Sequence, residues 1–236
     1  PGNGGISADA ECVDIKATDK ENMVKFAKEN AIDFCVVTPD DPLALGMVDV
    51  MEEAGIPCFG PKANAAIIEA SKAFSKDLMK KYGIPTADYE TFDNEKDALH
   101  YIEEKNTFPI VIKADGLALG KGVLICETLD DAKTALREMM VEHVFGLSGN
   151  KVVVEEFMTG KEVSVLAFTD GNVVKPMISS MDHKRAYDND EGLNTGGMGT
   201  IAPSPYYTKE IAETCMETIF LPTVKAMNAE GRTFKG

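Results

Sequence analysis

The apolar residues in the first third of the chain alternate between a helical spacing and short continuous runs. Met23, Phe26 and Ala27 recur at the spacing of one helix face, and Asp19 can accept a capping hydrogen bond where that helix begins. The continuous apolar run at residues 32–37 then predicts a buried strand. The pattern therefore predicts a helix followed by a strand.

A second helix and strand follow in the same order. A helix is predicted from about Leu43 to Gly55, with Val48 and Met51 facing inward, and residues 56–59 predict a short strand. Strand–helix–strand with short links favours a parallel sheet covered by helices, in which ligands bind beyond the carboxyl ends of the strands. The turn at residues 38–42 lies at such an end. It fits a ligand site and equally a connector stiffened by prolines.

Beyond about residue 65 the pattern changes to helices backing a small antiparallel sheet. Gly83 ends the first of these helices, and extended chain follows it. The predicted helices are residues 71–82, 94–105, 129–142 and 209–229, and the predicted strands are residues 109–113, 123–126, 151–157 and 162–168. This arrangement predicts an α+β module after the α/β region.

Charge and composition narrow the classes of partner. The net charge of −15, from 24 Lys and Arg against 39 Asp and Glu, argues against nucleic acid, because phosphate neutralisation needs surplus cations. No apolar run is long enough for a membrane span, and the start does not resemble a signal peptide. The five cysteines form no C-x-x-C pair and are interpreted mainly as core residues. We therefore expect a cytoplasmic protein that binds small molecules, without nucleic-acid or membrane partners.

The strongest local signal is the segment IVIKADGLALGKGV at residues 110–123. Lys113 closes a strand, and a loop with three glycines follows it, with Lys121 inside the loop. Glycines let backbone N–H groups approach an anion, and a lysine at a strand end can reach phosphate oxygens. The loop is not a P-loop, and its pattern also fits a flexible hairpin with solvated lysines.

Two further segments carry candidate chemistry. Three valines precede Glu155-Glu156-Phe157-Met158, which fits a nucleotide-binding hinge and also a simple polar strand end. Asp182-His183-Lys184-Arg185 stands shortly before Asn194-Thr195-Gly196-Gly197-Met198-Gly199, a combination that suits a small anionic substrate and also a surface loop. His183 lacks a nearby Cys or His, so we do not expect zinc, and no G-x-S-x-G signature indicates a hydrolase.

The order and spacing of these motifs resemble a known family. Lys72 in Ser71-Lys72-Ala73-Phe74, the lysine–glycine loop and the Glu-Glu-Phe segment resemble an ATP-grasp domain. With the two loop motifs at 182–185 and 194–199, the chain resembles the phosphoribosylamine–glycine ligase (glycinamide ribonucleotide synthetase) family over residues 1–236. The resemblance implies an incomplete Rossmann-like pre-ATP-grasp domain at 1–66. It also implies an incomplete ATP-grasp domain at 67–236, with a small lid subdomain at about 88–157.

The resemblance also implies a reaction and a set of site residues. ATP and glycine would give glycyl phosphate, and 5-phosphoribosylamine would then form glycinamide ribonucleotide, ADP and phosphate in purine biosynthesis. Asp182, Lys184 and Arg185 would be catalytic. The implied ATP-binding residues are Lys72, Lys113, Gly116, Gly120, Lys121, Gly122, Glu155, Glu156, Phe157, Met158 and Glu162. The implied substrate-binding residues are Gly2, Asn3, Gly5, Pro39, Asp40, Pro42, Asn194, Thr195, Gly196, Gly197 and Gly199.

The chain departs from the family pattern in three places. The family's first strand and glycine-rich turn do not precede Pro1, and its glutamate and asparagine ligands for magnesium or manganese are expected beyond Gly236. The resemblance therefore implies a sequence truncated at both ends. Asp41 and Leu193 replace the usual alanine and proline. Two other functions stay open: another ATP-grasp ligase, such as a carboxylase or dipeptide ligase, and a non-catalytic nucleotide-binding module.

Overall fold

The structure is a computed structural model that describes residues 2–118 and 122–236, and within them the side chains of all residues but Asp190, Leu193 and Asn194. The chain forms two compact units. The first unit contains the residues up to Asp77, with Asp88–Phe157 and Phe234–Gly236, and the second contains Leu78–Ala87 and Met158–Thr233.

Three helices begin the first unit. Helix α1 (Lys20–Glu29) starts where Asp19 accepts a hydrogen bond from the Asn22 backbone N–H at 3.1 Å, as predicted. The single helix predicted from Leu43 is instead two helices, α2 (Asp40–Ala44) and α3 (Met47–Glu53), because Gly46 adopts a left-handed conformation with φ of 84°. These helices bury one apolar core: Ala27, Val37, Met47, Val48, Met51 and Ile56.

Strands β1 (Cys35–Val36) and β2 (Cys58–Phe59) pair in parallel, as the strand–helix–strand order predicts. The prediction of a buried strand at 32–37 is wrong in length and in burial, because Phe34 and Val36 are exposed. A continuous apolar run implies cover on both faces. Only the face of Val37 is buried here.

Two helices connect the strand pair to the sheet that follows. Helix α4 (Ala63–Ala70) was not predicted, and α5 (Lys72–Tyr82) begins almost at once after it. Gly83 follows α5 with φ of 66°, which agrees with the predicted helix end.

The rest of the first unit is a four-stranded antiparallel sheet in the order β3-β6-β4-β5. Its elements are β3 (Tyr89–Phe92), α6 (Glu95–Lys105), β4 (Ile110–Ala114), β5 (Val123–Cys126), α7 (Leu129–Met140), a 3₁₀ turn at Gly146–Asn150 and β6 (Val152–Glu156). Helices α6 and α7 pack on the face that carries Ile110, Ile112 and Val154. Because side chains alternate along a strand, Lys113 and Glu155 belong to the opposite face.

The second unit contains three short antiparallel pairs and a long helical segment. The strands are β7 (Ala167–Thr169) with β8 (Val174–Pro176), β9 (Met181–Asp182) with β12 (Thr200–Ile201), and β10 (Arg185–Tyr187) with β11 (Glu191–Asn194). The strand predicted at 162–168 is wrong for most of its length, since Ser164 makes only an isolated bridge to Ser180. The helix predicted at 209–229 is α8 (Lys209–Cys215), a π-helical stretch (Met216–Phe220) and α9 (Leu221–Ala229), with Pro222 in its first turn. None of the helices described is long and apolar enough to cross a bilayer.

Candidate functional site

A buried carboxylate lies at the centre of the candidate site in the first unit. Glu155 is on β6 and is only 4% exposed. One of its oxygens, Oε2, accepts from Lys113 Nζ at 2.9 Å and is 3.2 Å from Lys76 Nζ. The backbone of Glu155 is paired in the sheet with β3 and β4. The side chain of this residue therefore faces two ammonium groups.

The second oxygen of Glu155 is unusual. Oε1 is buried and accepts no hydrogen bond from any residue that the structure describes. Leaving a buried acceptor unpaired costs about 1–3 kcal/mol, so such an atom in a native fold needs an explanation. A ligand that donates a hydrogen bond would supply the missing partner.

Lys76 is the residue that the sequence interpretation missed. Its position on α5 is four residues after Lys72, so both lysines lie on one helix face. The Lys76 ammonium is also 5.5 Å from the centre of the Tyr89 ring, a cation–π contact. Tyr89 donates from its hydroxyl to Asp77 Oδ1 at 2.7 Å, and burial raises the pKa of Tyr89. The i, i+4 spacing was the available signal.

Lys72 adds a third cation to this part of the first unit. Its Nζ donates to the carbonyl oxygen of Gly116 at 3.0 Å. Burial lowers the pKa of Lys72; the charges of Asp115 and Glu69 oppose this effect, and that of Lys113 adds to it. A partly desolvated cation such as this ammonium group interacts strongly with a phosphate group.

The start of the glycine loop is anchored to α5. Asp115 Oδ1 accepts from the Ala73 backbone N–H at 2.7 Å and from Ser71 Oγ at 3.0 Å. Ser148 Oγ donates to the carbonyl of Leu117 at 2.8 Å. Gly116 is required here, since a Cβ on it would lie 2.6 Å from Ser148 Oγ.

The far end of the loop is also closely packed. A Cβ on Gly122 would lie 2.8 Å from the Cβ of Ala118. Gly120 and Lys121, both expected to bind ATP, lie outside the described residues. Both described ends of the loop are therefore packed against neighbouring residues.

An apolar strip adjoins the lysines on the same sheet face. Val123 pairs with Lys113 and Ile125 pairs with Val111 across the β4–β5 ladder. The two β5 side chains are 41% and 45% exposed, although they lie beside a buried core. Apolar surface next to fixed cations and a free acceptor suits a flat base that carries phosphates. The continuous apolar run of β5, with every second side chain on the face of Lys113, was the available signal in the sequence.

The other predicted hinge residues differ in their surroundings. Glu156 Oε1 accepts from the Asp88 backbone N–H at 3.1 Å, so this carboxylate binds the residue that precedes β3. Phe157 and Met158 are exposed and follow the end of β6. Glu162 belongs to the second unit, where it forms an ion pair with Lys184.

The second unit brings the two substrate motifs together. The backbone N–H of Thr195 donates to the Lys184 carbonyl at 2.7 Å, and that of His183 donates to the Gly199 carbonyl at 2.9 Å. Asp182 is directly opposite Thr200 in the β9–β12 pair. Segments 182–185 and 194–199 therefore form one structure, although the side chain of Asn194 is outside the description.

The charged side chains of this second cluster already have protein partners. Lys184 pairs with Glu162 and is 3.9 Å from Asp182 Oδ1, while Arg185 Nη1 donates to the Gly192 carbonyl at 2.7 Å. Gly196, Gly197 and Gly199 are exposed, and the Gly197 backbone N–H donates to Thr195 Oγ1 at 3.0 Å. The cluster offers cations beside an open glycine turn.

The predicted N-terminal substrate residues are held by local contacts. Asn3 Oδ1 accepts from the backbone N–H groups of Gly5 and Ile6, both at 3.0 Å, and a Cβ on Gly2 would clash with Cys12. Among the residues described, no hydrogen bond or ion pair joins this turn to the segment 39–42.

The segment 39–42 lies at the start of α2. Pro39 caps that helix, Asp40 opens its first turn and Pro42 is buried. Asp40 borders a cavity of about 260 Å³ that Glu69 and Leu117 also line. The structure thus places one of these residues near the glycine loop.

We find no metal centre in the part of the chain that the structure describes. No group of three or more His, Cys, Asp or Glu side chains there is placed to hold an ion. The described residues therefore present lysines for phosphate but no ligand set for magnesium or manganese.

Comparison with family models covers the whole chain. Residues 1–69 match the model of the phosphoribosylglycinamide synthetase N domain. Residues 70–236 match that of the phosphoribosylglycinamide synthetase ATP-grasp (A) domain.

Individual relatives agree with the family models. The phosphoribosylamine–glycine ligase of Listeria monocytogenes serotype 4b is 49% identical over the whole chain, which covers 56% of that protein. The crystal structure of the Thermotoga maritima phosphoribosylamine–glycine ligase is 31% identical with a TM-score of 0.84, over 100% of this chain and 56% of that one. The chain thus spans about half the length of these relatives.

A more distant solved structure shares the fold. The biotin carboxylase domain of Hydrogenobacter thermophilus 2-oxoglutarate carboxylase is 21% identical with a TM-score of 0.71, over 94% of this chain and 48% of that one. It was solved with ADP, magnesium and bicarbonate.

Proposed function

Since the chain belongs to the phosphoribosylglycinamide synthetase family, we propose that the protein carrying it is an ATP-dependent phosphoribosylamine–glycine ligase of purine biosynthesis. Its reaction joins glycine to the amine of 5-phosphoribosylamine and releases ADP and phosphate. A carboxylate is a poor electrophile, and phosphorylation by ATP gives it a leaving group. The protein must hold the reactants in line and balance the charge on the transferring phosphoryl group.

The observation that carries the proposal is the lysine cluster around Glu155. Lys72 and Lys113 supply cations for the ATP phosphates, and the strip formed by Val123 and Ile125 supplies apolar surface for the adenine ring. Glu155 Oε1, buried without a partner among the described residues, accepts the hydrogen bond that the adenine amino group can donate. Charge, apolar surface and a free acceptor together match the three parts of a purine nucleotide.

The glycine loop protects the intermediate in this proposal. Water would hydrolyse an acyl phosphate, so the reacting groups must be shielded during transfer. Gly116 and Gly122 belong to the anchored ends of the loop, and the proposed role of the loop is to shield the phosphates during transfer. Gly120 and Lys121 stay within this proposal, although they lie outside the described residues.

The second cluster receives the other substrates in the proposal. Lys184 and Arg185 are suited to the glycine carboxylate and to developing negative charge, and Asp182 to a substrate amine. Both cations already have partners, Glu162 and the Gly192 carbonyl, so substrate binding exchanges these contacts. We propose that a further set of residues takes part in phosphoribosylamine binding, each as the family pattern implies: Gly2, Asn3, Gly5, Pro39, Asp40, Pro42, Asn194, Thr195, Gly196, Gly197 and Gly199.

The remaining parts of the proposal concern cofactor, domains and location. Magnesium or manganese would neutralise phosphate charge when bound, but the described residues offer no ligand set for it, so no step here depends on it. We place the pre-ATP-grasp domain at 1–66 and the ATP-grasp domain at 67–236, with a lid subdomain at about 88–157. A cytoplasmic location is part of the proposal, and the net charge of −15 favours small-molecule partners over nucleic acid.

Measurement of ADP release tests the proposed reaction. We expect release that requires both glycine and 5-phosphoribosylamine, with glycinamide ribonucleotide as the product. Release with bicarbonate, or with a second amino acid in place of phosphoribosylamine, would show another ligase. ATP binding without turnover in the full-length protein would identify a nucleotide-binding module.

A further inference from the structure

We propose that Lys76 is a positioning residue of the nucleotide site, which fixes the Glu155 carboxylate so that its Oε1 selects adenine over guanine. This inference rests on the function proposed above and concerns the same site. Lys76 would act through Glu155, without touching the nucleotide.

Burial separates the roles of the two lysines on Glu155. The side chain of Lys76 is 9% exposed, whereas that of Lys113 is 27% exposed. Tyr89 flanks the Lys76 ammonium, and Tyr89 is directly opposite Glu155 in the β3–β6 register. Lys113 can therefore meet a ligand, while Lys76 is enclosed by the protein.

The geometry at the carboxylate shows what Lys76 does. A single lysine can share both oxygens of a carboxylate, but here both ammonium groups approach the same atom, Oε2. Oε1 is thereby left as a pure acceptor. An acceptor in that place favours the amino group of adenine and repels the carbonyl oxygen that guanine carries at the same ring position.

Lys76 also keeps Glu155 paired with a cation while a nucleotide binds. If Lys113 turns to a phosphate group, a buried carboxylate without another cation would be strongly disfavoured. Lys76 remains at 3.2 Å from Oε2 and keeps Glu155 paired. Glu155 can then still distinguish adenine from guanine while Lys113 contacts the phosphate groups.

Isothermal titration with ATP and with GTP tests this role. In Lys76→Met we expect ATP affinity to fall about tenfold and GTP affinity to change less than about threefold, because only adenine uses the Glu155 acceptor. The matched control is Lys81→Met, on the same helix, which removes an exposed ion pair with Glu230 at 2.6 Å and should leave both affinities unchanged. A folded Lys76→Met variant with the wild-type ratio of ATP to GTP affinity would overturn the proposal.

A double-mutant cycle separates positioning from a general structural role. In the Glu155→Gln background, Lys76→Met should not change the ratio of ATP to GTP affinity further, because the carboxylate that Lys76 positions has already been replaced. A further fall of the ratio in the double variant would contradict the proposal, and this comparison serves also if Lys76→Met alone does not fold. Absence of ATP binding by the wild-type full-length protein would instead contradict the proposed function.

Discussion

Lysine–carboxylate clusters occur in both units of the molecule, but they differ in burial. In the first unit Lys76 and Lys113 approach one oxygen of Glu155, which is almost fully enclosed. In the second unit Lys184 lies near Glu162 and Asp182, and the side chains of Lys184 and Glu162 are 42% and 63% exposed. The same residue types thus occur in a dry and in a wet setting.

The difference indicates two ways of preparing a site. Charges in a buried cluster interact strongly and hold one geometry, so the first cluster is built before a ligand arrives. Exposed ion pairs contribute little to stability and exchange partners readily. In the proposed function, release of Lys184 from Glu162 to a substrate would therefore cost little free energy, whereas Glu155 in the first cluster must stay paired while a ligand binds.

The largest effect on ATP affinity is expected when the buried cluster is disrupted. Lys113→Ala should weaken ATP binding about 100-fold, because it removes a charged phosphate contact and one of two partners of Glu155. Isothermal titration measures it, with Lys133→Ala, an exposed lysine 3.7 Å from Glu103, as the control. An affinity within about threefold of wild type would contradict the placement of the nucleotide site.

Glycine substitutions sharpen the comparison of a packed with an open loop. Gly116→Ala should lower the free energy of unfolding by about 1–3 kcal/mol, because its Cβ would lie 2.6 Å from Ser148 Oγ and 3.2 Å from Ser148 Cα. Gly199→Ala should change it by less than about 0.5 kcal/mol, since the nearest atom is 3.9 Å away. Urea denaturation of both variants measures these changes in the free energy of unfolding. Equal losses of stability would show that the two loops are packed alike.

The pH dependence of ATP binding probes the burial of the first cluster. The pKa of Lys72 is lowered mainly by burial, so its ammonium is lost below the ordinary lysine value of 10.5. ATP affinity should then fall, by up to about tenfold, as pH rises through this window. The free energy of unfolding should change in the opposite sense, since the unfolded chain binds more protons there.

Arginine at position 72 provides the control for this titration. It stays protonated throughout the range, so Lys72→Arg should bind ATP with little dependence on alkaline pH. Titrations of both proteins between neutral pH and the ordinary lysine pKa check the expectation. The same alkaline fall in both proteins would assign it to another group.

A small effect is also expected from the exposed cluster. Lys184→Gln should lower the free energy of unfolding by less than about 1 kcal/mol, because solvent screens its pair with Glu162. Chemical denaturation at low and at moderate salt measures it. A loss of more than about 2 kcal/mol in the free energy of unfolding would mean that the pair of Lys184 and Glu162 stabilises the fold and is not screened by solvent.

Sequence alone predicted most helices of the first unit and three of the four strands of its sheet, β4, β5 and β6. The family resemblance is confirmed, as are the ends of β5 and the capping of α1 by Asp19. These features depend on local spacing and capping, which sequence carries directly. The errors at residues 32–37 and 162–168 have another cause, because burial of an apolar run depends on what covers it in the fold.

Prediction of the candidate site was less complete. The grouping of segments 182–185 and 194–199 was expected from the family pattern, and the roles of the predicted site residues remain proposals. Lys76 was missed because a lysine on a helix usually faces solvent. The orientation of Glu155 was missed because sequence shows that a carboxylate ends a strand but not which oxygen its neighbours occupy.

The hydrogen bonds of Asp115 have a consequence for inhibitor design. Free N–H groups at the start of a helix commonly attract phosphates. At α5 this place is taken by the protein's own carboxylate, which accepts from the Ala73 N–H and the Ser71 hydroxyl. An anionic inhibitor aimed at the helix terminus would compete with a tethered group of the same charge. The negative groups of such an inhibitor should instead be directed to the ammonium groups of Lys72 and Lys113.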